Sequence, residues 1–189
     1  MTTPTPPART HPDAVAALAA AVREVERHVA AAGWDGPVRV FALVRTQDAL
    51  AVEPSLAAQL ATYVLAAAAV RPWHLTSVEQ EGLPAADDLE SLLASLGWPP
   101  TVEGVAVTVE RVVLPPEAER LMPTDPASAL AYLRDHPDRS DVRLAVGVLR
   151  DGPAWCAVRS RLHDADDELV EGPDVVPGLV SAVRTTLAD

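Results

Sequence analysis

The sequence has a single cysteine and no lysine. Its 189 residues include one cysteine, Cys156, and all 15 basic residues are arginine. A single cysteine excludes an intrachain disulfide framework and any zinc site built from several cysteines. We interpret Cys156, which lies inside a predicted strand, as a small buried hydrophobic residue rather than a reactive thiol. The lack of lysine, with abundant alanine, proline and valine, is typical of the codon bias of a GC-rich genome.

Long apolar runs and positive net charge are missing too. No run reaches the roughly 20 apolar residues that a membrane-spanning helix needs, and residues 1–9 lack the apolar core of a signal peptide. The formal net charge is −12 at pH 7, which disfavours nucleic acid or anionic lipid as a partner because both would be repelled. We therefore expect a cytoplasmic protein with no nucleic-acid partner and no membrane insertion.

Known catalytic motifs are also absent. The nine glycines are scattered and match neither a phosphate-binding loop nor a dinucleotide fingerprint. The sequence contains no nucleophile elbow and no H-E-x-x-H zinc motif. It therefore predicts no cofactor and no catalytic residue, and it argues against an enzyme.

The most regular feature is the stretch of residues 141–161. From Val142 onwards, apolar residues recur at every second position, which is the period of a strand. Asp151 and Gly152 then supply the positive φ angles of a two-residue hairpin turn. Pro153 has no N–H to donate, so it fits the first position of the returning strand. We predict an antiparallel hairpin here.

The rest of the pattern predicts an α+β fold. Residues 38–44, 74–80 and 105–114 are predicted strands, so with the hairpin the sheet has about five strands and is mainly antiparallel. Helices are predicted near both ends of the chain, and we expect both to pack on one face of the sheet. Residues 1–11 are a predicted disordered tail, and residues 12–189 are a predicted single domain.

The first predicted helix carries a narrow apolar seam with spacings of three and four residues. The seam consists of Val15, Leu18, Val22, Val25 and Val29. We place Arg23, Glu24, Glu26 and Arg27 outside it. The seam has two interpretations: it packs on the sheet, or it pairs with a second copy of the chain, since strict spacing of this kind is that of a coiled coil.

An aromatic and cationic face of the hairpin is the first candidate site. Its members are Trp155, Arg143, Arg159 and Arg161. Aromatic residues and arginine are enriched in binding hot spots. In an acidic protein this face could receive an acidic peptide, a carboxylate ligand or the chain's own acidic loop.

The acidic loop after the hairpin is the second candidate site. Its candidate metal ligands are His163, Asp164, Asp166 and Asp167. Carboxylates and an imidazole could hold a hard cation or a transition metal. The simpler interpretation is a solvated acidic loop near the positive end of the last helix.

Three stretches carry a resemblance to a known family. They are residues 77–84 (SVEQEGLP), residues 98–101 (WPPT) and residues 141–164. On these stretches the chain after Pro12 resembles a family of uncharacterised proteins largely restricted to actinobacteria. The resemblance implies no established activity, cofactor or catalytic residue. The order of predicted elements is also similar, at fold level, to type III secretion chaperone-like proteins, a likeness that does not fix a function.

Together these features predict a non-enzymatic protein-interaction or chaperone-like domain. We expect it to form a homodimer or to bind another protein through a sheet face or the hairpin edge. The alternative is a small-ligand or metal-dependent enzyme that uses the acidic loop. A third interpretation is a structural domain whose acidic surface keeps it in solution.

Overall fold

The structure is a computed structural model that describes residues 11–150 and 152–188. Most of the predicted tail, residues 1–11, therefore lies outside the described residues. The helices are α1 (Pro12–Ala30), α2 (Thr46–Val52), α3 (Thr62–Val70), α4 (Leu89–Ala94), α5 (Pro116–Arg120), α6 (Pro126–Asp135) and α7 (Pro177–Thr185), with 3-10 turns at Pro54–Ala58 and Asp166–Glu168. The strands are β1 (Arg39–Arg45), β2 (Leu75–Glu79), β3 (Gly104–Val113), β4 (Ser140–Leu149), β5 (Ala154–Ser160) and β6 (Val170–Gly172).

The six strands form one sheet in the order β2-β1-β3-β4-β5-β6. Every neighbouring pair is antiparallel. The structure thus confirms the α+β fold and the five predicted strands. The additional strand is β6, whose three residues are too few to show an alternating pattern in the sequence.

Both faces of the central strands are apolar, and β4 shows this most clearly. Its even-numbered residues, among them Val146 and Val148, belong to a core that also contains α7 residues and Leu93 of α4. Its odd-numbered residues Ala145 and Leu149 belong to a second core, built with α1. A sheet that is apolar on both faces must be covered on both.

The terminal helices consequently lie on opposite faces of the sheet, and the prediction that both pack on one face is wrong. Helix α1 covers one face, while α7 and α4 cover the other. A single layer of helices would have left the Val146 side of β4 or the Ala145 side in water.

Helix α1 packs directly against the backbone of the sheet at Gly147. A Cβ atom at this position would lie 2.5 Å from Val22 Cγ2 and 2.9 Å from Leu18 Cδ1. Both side chains are fully buried, and burying a valine or leucine contributes about 1.5–3 kcal/mol. The apolar seam of α1 is therefore filled by the chain's own sheet, which removes the coiled-coil interpretation.

The β4–β5 hairpin has a longer turn than predicted. The Leu149 N–H donates to the Pro153 carbonyl at 2.9 Å, so three residues rather than two separate the paired positions. Gly152 has φ of +110°, a conformation that favours glycine. Asp151, the other predicted turn residue, lies outside the described residues. In the sheet β4 lies between β3 and β5, and β6 pairs with residues 156–158 of β5.

Candidate functional site

The predicted aromatic and cationic face lies largely beneath α1. Arg143 and Arg159 are directly opposite each other in the β4–β5 ladder and are 1% and 2% exposed. Arg23 of α1 lies over the Trp155 ring, with its guanidinium carbon 5.9 Å from the ring centre. Arg161 is the exception, at 42% exposure. Arg143 and Arg159 are therefore internal, whereas Trp155 is half-buried and Arg161 is exposed. The role of this face in binding a partner stays a prediction.

Glu26 of α1 lies at the centre of this cluster with 0% exposure. Its carboxylate accepts two hydrogen bonds from Arg159, at 2.6 and 2.7 Å. These bonds hold the pKa of Arg159 above its usual value. Arg143 Nη1 is 3.7 Å from Glu26 Oε1. One buried carboxylate is thus shared by two buried guanidinium groups, and buried charges persist when they are paired in this way.

One nitrogen of Arg143, Nη2, reaches outward from the cluster. Its Nη2 donates to Glu110 Oε1 at 2.9 Å and to the Gly33 carbonyl. Its guanidinium carbon lies 4.4 Å from the centre of the Trp34 ring, a cation–π contact. Arg161 stacks on the same ring at 5.5 Å. Trp34 therefore closes the end of the cluster beside the loop that follows α1.

Arg159 also fixes the acidic loop. It donates to the Asp164 carbonyl at 2.7 Å and to Asp166 Oδ1 at 2.8 Å. Its hydrogen bond holds the pKa of Asp166 below the usual value. Asp164 Oδ2 accepts from the Trp34 indole N–H at 3.1 Å. Two of the candidate metal ligands are thus occupied by hydrogen-bond donors.

The other candidate metal ligands do not complete a metal site. His163 Nδ1 is 3.1 Å from Glu168 Oε1, and Asp167 is exposed. Within the described part of the chain, no three His, Cys, Asp or Glu side chains lie close enough together to hold a metal ion. The arrangement supports the interpretation in which arginine side chains hold the acidic loop in place.

A groove runs between α1 and residues 70–75. It has a volume of about 480 Å³, and its walls are alanines of α1 on one side and Trp73 on the other. His11, at the start of α1, stacks on Trp73 with ring centres 5.6 Å apart. His74 also lines the groove, and its Nδ1 lies 2.8 Å from Thr46 Oγ1. Burial lowers the pKa of this imidazole.

The helical insert between β1 and β2 carries exposed apolar residues. In α3, Ala68 is the buried member, whereas Tyr63 is 71% and Val70 is 76% exposed. At the end of α2, Val52 is 81% exposed. Eight of the nine α3 residues are apolar and none is charged. An apolar surface of this kind is typical of an interaction site.

The family model for PPA1309-like proteins matches residues 18–188. This chain belongs to the PPA1309-like family. The match includes Glu26, Arg143 and Arg159 as well as the helical insert, and it begins after residues 1–17. A search of curated proteins found no match, and a search of solved structures found none either.

Among residues 11–150 and 152–188 of this PPA1309-like protein, no helix is both long and apolar enough to cross a membrane. Three candidate sites are described above: the ion cluster under α1, the groove beside Trp73 and the apolar insert.

Sequence reasoning missed Glu26, which it placed outside the apolar seam. The signal was present: Glu26 follows Val22 by four residues, and residues four apart lie on the same helix face. Trp34 was missed because its partners, Arg143 and Asp164, are more than 100 residues away in the chain. No local pattern reports such a contact.

Proposed function

We propose that this protein is a non-enzymatic protein-interaction domain that forms a homodimer through its helical insert. The observation that carries the proposal is α3, an uncharged and mostly apolar helix in which Ala68 is buried, Val64, Leu65 and Ala67 are half-buried, and the other five residues are exposed. A helix that is apolar all round is normally buried. A partner surface would supply the burial that the chain's own sheet does not give.

The exposed face of α3 consists of apolar residues. Tyr63, Ala66 and Val70 follow one another at spacings of three and four residues, so they lie along one side of the helix, and all three are exposed. Tyrosine provides a large apolar surface with a polar tip, which suits an interface.

Charge favours a second copy of the chain as the partner. Residues 54–70 contain no Asp, Glu, Lys or Arg, although the whole chain carries a net charge of −12. Two copies repel each other over most of their surfaces, and an uncharged surface is where they can approach. The exposed Leu130 of α6 does not belong to such an uncharged surface, because the charged residues Arg134 and Asp135 lie in the same helix.

The resemblances noted in the sequence extend the proposal. They favour a cytoplasmic, chaperone-like domain of actinobacterial proteins whose partner is itself or another protein. No observation favours the metal-dependent enzyme, because Asp164 and Asp166 are engaged by Trp34 and Arg159.

Light scattering coupled to size exclusion tests the dimer. We expect the natural chain to have the mass of a dimer at about 100 µM and to dissociate on dilution, since dimer stability depends on protomer concentration. A Tyr63→Glu/Ala66→Glu variant places two charges on the proposed contact and should have the mass of a monomer at every concentration. A natural chain that is monomeric at about 100 µM would overturn the dimer.

Leu130→Glu is the matched control for this variant. It also places a glutamate at an exposed apolar position of a helix, since Leu130 is 69% exposed. We expect it to remain dimeric. If Leu130→Glu dissociates the protein and the α3 variant does not, the contact lies on α6 and the proposed surface is wrong.

A further inference from the structure

Strand β2 lies at one edge of the sheet and presents an open row of backbone groups. Among residues 11–150 and 152–188, β2 pairs with β1 alone. Just after β2, the Gln80 N–H donates to the Val40 carbonyl at 2.8 Å. Backbone groups point to alternate sides along a strand, so the even-numbered residues of β2 bond to β1. The N–H and carbonyl groups of Leu75, Ser77 and Glu79 therefore face away from the sheet.

The other edge of the sheet is protected, whereas β2 is not. Strand β6 has three residues, its central Glu171 is 2.7 Å from Arg23, and Pro173, which has no N–H, follows it. Strand β2 has five residues with neither proline nor lysine, and its register with β1 contains no bulge. Natural edge strands are usually short or carry proline, lysine or a bulge, because an unprotected edge pairs with another strand. The edge of β2 is therefore a surface for strand addition.

A second β2 strand complements this edge. If two copies pair antiparallel about a two-fold axis through Ser77, each Ser77 lies opposite the other, and Leu75 lies opposite Glu79 of the second copy. Each copy then contributes three outward N–H donors and three outward carbonyls, so the pair forms six hydrogen bonds with no outward group left over. A two-fold interface requires a self-complementary surface of this kind.

The side chains agree with this register. Thr76 would lie beside Val78 of the second copy, and Val78 is 47% exposed in the single chain; pairs of β-branched residues on neighbouring strands are favourable. Glu79 is the one charged residue of β2, and its carboxylate lies 3.3 Å from His28 and 3.6 Å from Arg39 of its own chain. The two Glu79 residues would be about 14 Å apart along the strands, beyond the screening length of about 8 Å at physiological salt. Like charge therefore does not oppose the pairing.

We propose that β2 pairs with β2 of a second copy in this register, so that the two six-stranded sheets become one. The pairing rests on the proposed function, because a stable interface buries at least about 1,200 Å² and two strands of five residues bury less. The exposed side of α3 supplies the remaining area. Helix α3 ends at Val70 and β2 begins at Leu75, so the two surfaces are neighbours in the chain.

Hydrogen exchange of the β2 amides tests the pairing, measured by NMR on the full chain at about 100 µM. The amides of Thr76 and Val78 bond to β1 and should be protected in every state. Without a partner strand, the amides of Leu75, Ser77 and Glu79 exchange freely, and protection alternates along β2. We expect these three amides to exchange at least about tenfold more slowly than in an unstructured chain.

A cysteine cross-link reports the register. Ser77→Cys places two thiols opposite each other, with Cα atoms about 5.5 Å apart, which is within the range of a disulfide. Mild oxidation of this variant should link the two copies. Glu79→Cys is the matched control from the same side of the strand, and its thiols, about 14 Å apart, should not link. The natural Cys156 does not interfere, because its side chain is fully buried.

Two substitutions at one position test the outward N–H. Ser77→Pro removes this donor and leaves the ladder with β1 intact, because proline is tolerated where the N–H faces away from the sheet. It should raise the dissociation constant of the dimer at least about tenfold, as measured by sedimentation velocity. Ser77→Ala keeps the N–H and should dimerise like the natural chain. Unchanged amide signals in α7 would show that Ser77→Pro is folded.

The outcomes separate this pairing from the α3 contact. A dimeric natural chain in which the Leu75, Ser77 and Glu79 amides exchange freely would overturn the pairing and leave the dimer through α3. If the Tyr63→Glu/Ala66→Glu variant stays dimeric with these amides protected, the pairing stands and the α3 contact is wrong. Cross-linking of Glu79→Cys but not of Ser77→Cys would overturn the register. A natural chain that is monomeric at about 100 µM would overturn both proposals.

Discussion

Glu26 of α1 and Arg159 of β5 form a buried, bidentate ion pair. The two hydrogen bonds measure 2.6 and 2.7 Å, and the side chains are 0% and 2% exposed. Arg143, 1% exposed, approaches the same carboxylate at 3.7 Å. Among the described residues, Glu26 is the one fully buried carboxylate that pairs with these guanidinium groups. The pair therefore fixes α1 to the middle of the sheet.

Removing that carboxylate should destabilise the fold strongly. Glu26→Ala leaves Arg143 and Arg159 buried without their shared partner, and breaking a buried pair in this way costs about 3–5 kcal/mol. Equilibrium urea denaturation measures the loss. Glu24→Ala, at an exposed position of the same helix, is the control and should change stability by no more than about 0.5 kcal/mol. A loss below about 1 kcal/mol for Glu26→Ala would contradict the ion pair.

The contact between Asp166 and Arg159 predicts an acid-dependent stability. Arg159 holds the pKa of Asp166 below its usual value of 3.8, and Arg27 contributes in the same direction. A carboxyl group whose pKa is lower in the folded state stabilises the fold fully above the usual pKa. That contribution is lost as the pH falls from about 4 through the folded-state pKa.

The measurement compares Asp166→Asn with the natural chain in urea at several pH values. At neutral pH the variant should be the less stable, and the difference should shrink as the pH falls below about 4. Asp167→Asn removes an exposed carboxyl from the same loop and should follow the natural chain at all pH values. A difference for Asp166→Asn that does not vary with pH would show that the ion pair contributes nothing.

The five predicted strands were predictable because each has a local period, whereas the three residues of β6 are too few to show one. Val142 to Val148 alternate in the sequence as they alternate between the two cores, and Gly152 has the positive φ that was expected of the turn. The placement of the helices was not predictable in the same way. Which face α1 and α7 cover depends on the route of the connections, and no local period reports that route.

The ion cluster was likewise predictable from local sequence patterns only in part. Trp155, Arg159 and Arg161 were placed on one strand face from their spacing, with Arg143 joining them across the hairpin, and the β4–β5 ladder brings Arg143 opposite Arg159. The burial of Arg143 and Arg159 was not foreseen, because it depends on Glu26, which is 133 residues from Arg159. A charged residue inside an apolar helix face is the sequence signal to look for in such a case.

Gly147 should be intolerant of a side chain. A Cβ atom there would lie 2.5 Å from Val22 and 2.9 Å from Leu18, so Gly147→Ala must displace α1 from the sheet. Overpacking of this kind costs about 1–3 kcal/mol. Gly178→Ala is the matched control, because its Cβ would meet no atom within 4 Å in α7. It should stabilise the protein by about 0.5–1 kcal/mol, and thermal melts of both variants give the comparison. A melting temperature that rises in both variants would show that α1 is not seated on Gly147.

Cys156 offers a probe of global unfolding, because its thiol is fully buried and burial raises its pKa. The thiolate is the reactive form, so a thiol reagent should modify the folded chain at least about 1,000-fold more slowly than the urea-unfolded chain. Leu162→Cys, at a position that is 78% exposed, supplies an accessible thiol and should react at once.

The same thiol links this measurement to the ion pair. When opening is fast relative to modification, the rate follows the population of the unfolded chain. A loss of about 3 kcal/mol in Glu26→Ala then corresponds to roughly a hundredfold faster modification of Cys156, whereas Glu24→Ala should leave the rate unchanged. If Glu26→Ala lowers the urea midpoint without accelerating modification, Cys156 is exposed by a local opening that does not involve α1.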